Sequence, residues 1–347
     1  TCPEGEERYS YNQANRPVRQ QDEVQGHSVR AVYLYSGMAD VARATQDESL
    51  LKACETLWNN MVHQKMYVTG GIGATHIGEA FSFNYDLPND TAYAETCASI
   101  GLVFFARRML EIQAKAEYAD VMELALYNGV LSGMALDGKS FFYVNPLEVL
   151  PEACHKDERK FHVKPIRQKW FGCACCPSNI SRFIPSLPGY VYAVRDRDLF
   201  VNLFMDNTAD ISVAGIPVSI RQTTTYPLDG DIEMTIAKGG GQFAMNIRIP
   251  GWVRNSVVPG DLYSYNDGLA PAWSVKVNGN EVGGELRNGY LVIDRKWKKG
   301  DAVTVHFDMP VRTVKAHDSV ADDRGRVAVE RGPLVYCAEW PDNDFSV

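Results

Sequence analysis

The segment FGCACCPSN (171–179) sets Cys173, Cys175 and Cys176 within four positions and follows them with Pro177. Neighbouring cysteines suit neither core packing nor a disulfide, whereas clustered sulfurs suit a metal or a nucleophile. A second segment, YAETCASIG (93–101), places Glu95 and Cys97 two residues apart. On a regular helix those side chains point in nearly opposite directions. They meet at one ion only if the backbone is still extended at 95 and the helix starts at about Thr96. The preceding Leu87-Pro88-Asn89-Asp90 turn fits such a late start. Glu95, Cys97, Cys175 and Cys176 are therefore candidates for a tetrahedral zinc site with three sulfurs and one oxygen. The paired C-x₂-C spacing of common zinc modules is absent. A plainer reading makes Cys97 a small core residue and Cys175/Cys176 an incidental pair.

A third segment, TGGIGATHIGEAF (69–81), has the look of a dinucleotide loop, but the position that would need the last glycine is His76 and no strand precedes it. Two readings of Glu79 remain. In one, the glycines permit tight turns and the carboxylate is solvated. In the other, irregular backbone between two helices holds Glu79 in a cleft as an acid/base group.

The elements that must position these residues change character near position 190. Before it, apolar residues repeat at three and four: Ala31, Leu34, Tyr35, Met38 and Ala42 over about 26–44, then Leu50 to Met61. Further helices are expected from Thr96 to Ile112, from Tyr118 to Leu131, and after Pro177, since proline suits a first helical turn. Short connectors imply antiparallel neighbours. Beyond 190 the period falls to two, in segments such as DLFVNLFM, GQFAMNIRIPGW, GYLVIDRKW and DAVTVHFDMP. Asn278-Gly279 signals a hairpin with a type I′ turn, and strands at this spacing read as a β-sandwich. Gly239-Gly240-Gly241 is a turn rather than a phosphate cradle, because no Lys-Ser/Thr follows.

Composition bounds the function. The chain has 347 residues, 45% of them apolar and 22% charged, enough for two or three domains with real cores. Its formal net charge of -8, with no block of five or six like charges, disfavours nucleic acid and acidic membrane surfaces as partners. No apolar run spans a bilayer. The eight cysteines of a chain this size fit reduced thiols better than a disulfide framework.

GGIGATHIGEAFSFNYDLPNDTAYAETCASIG together with FGCACCPSN resembles the β-L-arabinofuranosidases of glycoside hydrolase family 127 and their relatives in family 146. The resemblance covers most of residues 20–345. It implies a mainly α, then β architecture: an (α/α)₆ barrel followed by β-sandwich domains. Residues 1–190 would be the C-terminal half of the barrel, 191–308 a sandwich, and 309–347 the start of a second one. It further implies a retaining exo-glycosidase acting on L-arabinofuranosyl glycans or oligosaccharides, with a zinc-bound cysteine as nucleophile. Cys175 resembles that nucleophile, Glu95, Cys97 and Cys176 its zinc co-ligands, and Glu79 the general acid/base. His27 in QGHSVRAVYL, Tyr143 in SFFYVNP and Cys173 resemble residues lining the sugar pocket. A barrel of about twelve helices is only half accounted for, so the chain is expected to be an interior piece. A companion segment or a homodimer partner would then cover its exposed apolar helix faces.

The chemistry stands without the family. A thiolate can replace a carboxylate nucleophile if zinc deprotonates it, and Glu79 would protonate the departing oxygen and then deprotonate water, which favours a pKa raised by burial. Zinc thiolates fit a reducing cytoplasm; a periplasmic or secreted location is the alternative. A second function keeps the zinc as a closed staple in a carbohydrate-binding or scaffold module. A third, a sugar epimerase, would want paired acid/base histidines, for which His27 and His76 are too few.

Overall fold

The computed structural model describes residues 6–339. Cys2 and positions 340–347, the end of the expected second sandwich, lie outside the described residues. Helices occupy the first part: α1 (Glu6–Tyr11), α2 (Ser28–Thr45), α3 (Glu48–Gln64), α4 (Thr96–Ile112), α5 (Ala116–Ala125), α6 (Cys175–Phe183) and α7 (Pro188–Val191). Asp47 starts α3 by accepting the Leu50 N–H at 3.0 Å. From there Leu50, Ala53, Cys54, Leu57, Trp58 and Met61 turn one face into the core. Central α4 packs against α2, α5 and α6. It reaches α2 closely because Gly101 has no side chain: a Cβ there would lie 2.4 Å from Val32 Cγ2.

Two expectations need correction. The helix expected from Tyr118 to Leu131 is α-helical only to Ala125 and continues as a π turn over Leu126–Leu131. The short helix expected after Pro177 begins at Cys175 instead, so Pro177 sits inside its first turn, where a missing N–H costs nothing.

From Tyr192 onward the chain is β. A five-stranded sheet joins Tyr192–Arg195, Asp198–Val201, Gln242–Arg248, Tyr290–Lys296 and Leu286–Arg287 in that order. A six-stranded sheet, beginning with the antiparallel pair Asn207–Val213 and Ile216–Thr224, packs on it. Alternating burial along Asp231–Gly239 and Ala302–Phe307 fills their shared core with Ile232, Met234, Val303 and Val305. The hairpin at Asn278-Gly279 has both residues at positive φ, 52° and 81°, as a type I′ turn requires. A four-stranded sheet pairs Tyr263–Tyr265 with Val311–Ala316, so residues on both sides of position 309 share it.

The β region braces the helices. Arg248 is fully buried and bonds Asp120 Oδ1 of α5 at 2.7 Å, Glu123 of α5, and the Asn202 carbonyl at 2.6 Å. Tyr263 Oη donates to the Met66 carbonyl at 3.1 Å, buttressing the chain that leads into the 69–81 loop. No described helix is long and apolar enough to cross a membrane.

Candidate active site

Four side chains from two distant segments meet at one point. Glu95 is extended (φ −62°, ψ 137°) and caps α4, which starts at Thr96, so Glu95 and Cys97 escape the helical geometry that would separate them. This is the backbone that the two-residue spacing demands. The start of α4 is pinned by the Thr96 N–H donating to the Tyr143 carbonyl at 2.9 Å and by Thr96 Oγ1 donating to the Phe142 carbonyl at 2.9 Å. Cys175 and Cys176 open α6. Two helix N-termini therefore point their positive ends at one group of acidic donors.

Cys97 Sγ lies 3.4 Å from both Cys175 Sγ and Cys176 Sγ. Glu95 Oε1 is 3.3 Å from Cys175 Sγ and 3.5 Å from Cys176 Sγ. The sulfurs are far too distant for a disulfide, and all seven described cysteines are free. All four donor atoms fall within 4.8 Å of one another, the reach of a single ion. Glu95 Oε2 is buried with no hydrogen-bond partner, a costly arrangement for a bare protein. Three soft thiols, one carboxylate and an orphaned buried oxygen fit a metal ion.

The cluster is asymmetric. Glu95, Cys97 and Cys176 are sealed from solvent, whereas Cys175 is exposed. Hydrogen bonding to Cys176 draws the Cys175 thiol down to about 5, aided by Tyr143, Cys97 and Glu95 and opposed by burial. Burial first, then the neighbouring Cys175 and Glu79, pushes the Glu95 carboxyl up to about 8.

Glu79 stands beside this cluster, and with His27 and Glu95 it forms a second group whose donor atoms lie within 4.8 Å. Its backbone is left-handed (φ 55°), following Gly78 at φ 71°. A non-glycine residue in that region is strained and is held there by its surroundings. Here the Ser28 hydroxyl holds the Glu79 carbonyl at 3.0 Å. His27 Nε2 meets Oε2 at 3.1 Å, and Tyr93 Oη donates to Oε1 at 2.9 Å. These contacts, His27 first, hold the half-buried carboxyl below its usual range. The expected rise from burial is therefore corrected: two hydrogen bonds to the carboxylate outweigh desolvation.

The remaining candidates divide. His27 caps α2, with Nδ1 accepting the Arg30 N–H at 3.3 Å. The Tyr143 hydroxyl faces the Cys175 thiol and helps to draw it down. Cys173 stays exposed on the loop before α6, outside the sulfur cluster. Two further residues join the site without having been singled out from the sequence. Asn179 lowers the Cys97 thiol and lies three residues after Cys176, a same-face helical spacing that carried the signal. Tyr93 lies inside a quoted motif, but Ala94 beside it is left-handed (φ 38°), a turn no spacing rule anticipates.

The chain is similar to known proteins along most of its length. Residues 2–189 match the β-L-arabinofuranosidase GH127 catalytic domain, 198–309 the GH127 middle domain and 311–347 the glycoside hydrolase family 127 C-terminal domain. The chain is 42% identical over 344 residues to the non-reducing end β-L-arabinofuranosidase of Bifidobacterium longum subsp. longum, covering 96% of this chain and 49% of that protein. A solved GH127 β-arabinofuranosidase is 56% identical with a TM-score of 0.93, over 97% of this chain and 51% of that one. A GH127 β-L-arabinofuranosidase from Geobacillus stearothermophilus T6 is 49% identical with a TM-score of 0.88, over 96% and 50%. The chain thus spans about half the length of the relatives it matches.

Proposed function

Because the chain belongs to the β-L-arabinofuranosidases of glycoside hydrolase family 127, we propose that it carries the catalytic centre of a retaining exo-glycosidase. The substrates are L-arabinofuranosyl oligosaccharides or glycans, and the product is β-L-arabinofuranose. Its helices form the C-terminal half of an (α/α)₆ barrel, with residues 191–308 and 309–347 as sandwich units.

One observation carries this reading: of four donors that fit one ion, three are sealed and Cys175 alone is exposed. An open face at one donor gives a substrate access that a closed structural staple does not need. Glu95, Cys97, Cys175 and Cys176 would hold zinc, the cation this donor set suits. Bound there, zinc would keep the thiols deprotonated and make sulfur a tolerable leaving group as well as a nucleophile.

Cys175 Sγ then attacks the anomeric carbon while Glu79 gives its proton to the departing glycosidic oxygen. In the second half, Glu79 takes a proton from water, whose oxygen displaces the sulfur. Double inversion returns the β-configuration. Tyr143 orients Cys175 through its hydroxyl, and His27 lines the sugar pocket while holding Glu79. Cys173 borders the entrance on its exposed loop. The test follows the first-formed sugar by proton NMR as the full-length protein cleaves an aryl β-L-arabinofuranoside. Initial β-L-arabinofuranose is expected; initial α-anomer would exclude a covalent glycosyl–cysteine.

A further inference from the structure

An acid/base group must keep one orientation while its proton leaves and returns, and the two oxygens of Glu79 are held by different kinds of donor. His27 Nδ1 accepts the Arg30 N–H at 3.3 Å, so the ring proton is assigned to Nε2, which donates to Glu79 Oε2 at 3.1 Å. That partner can only donate. Tyr93 Oη, which holds Oε1 at 2.9 Å, can turn: a hydroxyl donates to a carboxylate and accepts from a carboxylic acid.

The Tyr93 ring is itself fixed. It is only 8% exposed. It packs against His162, with ring centroids 5.5 Å apart, and against Tyr143 at 6.2 Å. His162 in turn stacks on His76 at 4.9 Å and 13°. His76 precedes Glu79 by three residues, so the row starts and ends on the same loop.

We propose that Tyr93 is a positioning residue for Glu79, and that the His76–His162 stack holds its ring in place. The inference rests on Glu79 being the acid/base of the proposed reaction. In the first step the proton passes from Glu79 to the glycosidic oxygen as the C–O bond breaks and the C–S bond forms. In the second, water returns a proton to Glu79 as its oxygen replaces sulfur. Tyr93 keeps its own proton throughout, and its hydroxyl fixes the place of Oε1 while the Glu79 proton leaves and returns.

The test uses the full-length protein with two β-L-arabinofuranosides, one with an activated aryl leaving group and one with an alkyl leaving group. Tyr93→Phe should lower kcat/KM for the alkyl substrate roughly 10- to 100-fold, the size of one hydrogen bond to a charged group. The aryl substrate should be affected far less, with metal content and L-arabinose inhibition unchanged. His162→Ala should show the same pattern more weakly, and His162→Phe should restore part of what His162→Ala loses by refilling the stack. Equal losses on both substrates from Tyr93→Phe would overturn the proposal. If Tyr93→Phe does not fold, the two His162 variants decide: no leaving-group dependence in His162→Ala, or none recovered in His162→Phe, overturns it. Glu79→Gln run in parallel separates the two levels. A leaving-group effect in Glu79→Gln without one in Tyr93→Phe sinks only this inference, and its absence in both sinks the acid/base assignment itself.

Discussion

The sulfur of Cys97 lies 3.4 Å from that of Cys175, a residue 78 positions further along the chain. Two thiols and a third from Cys176 converge on one buried carboxylate, and the convergence joins the start of α4 to the start of α6. The junction is therefore as much a structural tie as a chemical centre.

The full-length protein should carry about one zinc per chain by elemental analysis, and chelation should lower activity and melting temperature together. Cys97→Ala and Cys176→Ala should lose more metal and more stability than Cys175→Ser, because they also open space in a sealed site. Glu95→Gln should reduce zinc occupancy by removing the one oxygen ligand. Metal content that is unchanged in all four variants would detach the ion from this cluster.

Much of this was legible from spacing alone. An acidic residue two before a cysteine required an extended backbone and a helix starting at Thr96, and that is what forms. The Asn278-Gly279 hairpin and the change of period near 190 were equally local signals. What escaped depended on tertiary contacts. Burial of Glu79 argued for a raised pKa, but the hydrogen bonds from His27 and Tyr93 reverse it, and neither partner is predictable from the 69–81 segment. The π turn after Ala125 has no marker in a helical pattern that continues to Leu131.

Glu79→Gln separates protonation from binding. It should slow unactivated substrates by roughly 10²–10⁴-fold, the usual scale of general acid catalysis. Substrates with good aryl leaving groups should be much less affected in the first step, since they need no proton. Steady-state kinetics on both classes is the measurement. Equal loss would assign Glu79 to ground-state binding instead.

A pH effect on stability should come from the β region. Glu330 is buried in the four-stranded sheet, where Tyr265 Oη donates to Oε2 at 2.8 Å and Oε1 has no partner. Burial pushes its carboxyl up to about 7, with Tyr265 and Arg312 opposing. The folded chain thus keeps a proton that the unfolded chain gives up near the ordinary carboxylate value. This contribution to stability is full at low pH and is lost as pH rises from about 4.5 to about 7. The ceiling is about 3 kcal/mol. Glu330→Gln should flatten this part of the melting temperature against pH profile; an unchanged slope would locate the dependence elsewhere.

Arg248 tests the brace between helices and sheets. It is fully buried and shared by Asp120 and Glu123. Arg248→Met removes the cation but leaves Glu123 buried with only Tyr226 as a donor. A loss of about 3–5 kcal/mol is expected, as for other broken buried pairs. Urea unfolding measures it, and Glu123→Gln combined with Arg248→Met should recover part of the loss. Additive losses in the double variant would mean that the two groups do not act as a pair.

The nucleophile can be located directly. An electrophilic arabinofuranose mimic should bond to the Cys175 sulfur, because it alone combines exposure with a thiol drawn down to about 5. Cys173 is as exposed but lies outside the donor cluster, while Cys97 and Cys176 are buried. Peptide mass spectrometry after labelling the full-length protein locates the adduct. Cys175→Ser should abolish labelling even where metal is retained, since an alcohol is a weaker nucleophile than a thiolate. Label on Glu95 or Glu79 would return the reaction to two carboxylates, and label on Cys173 would move the attack to a sulfur outside the cluster.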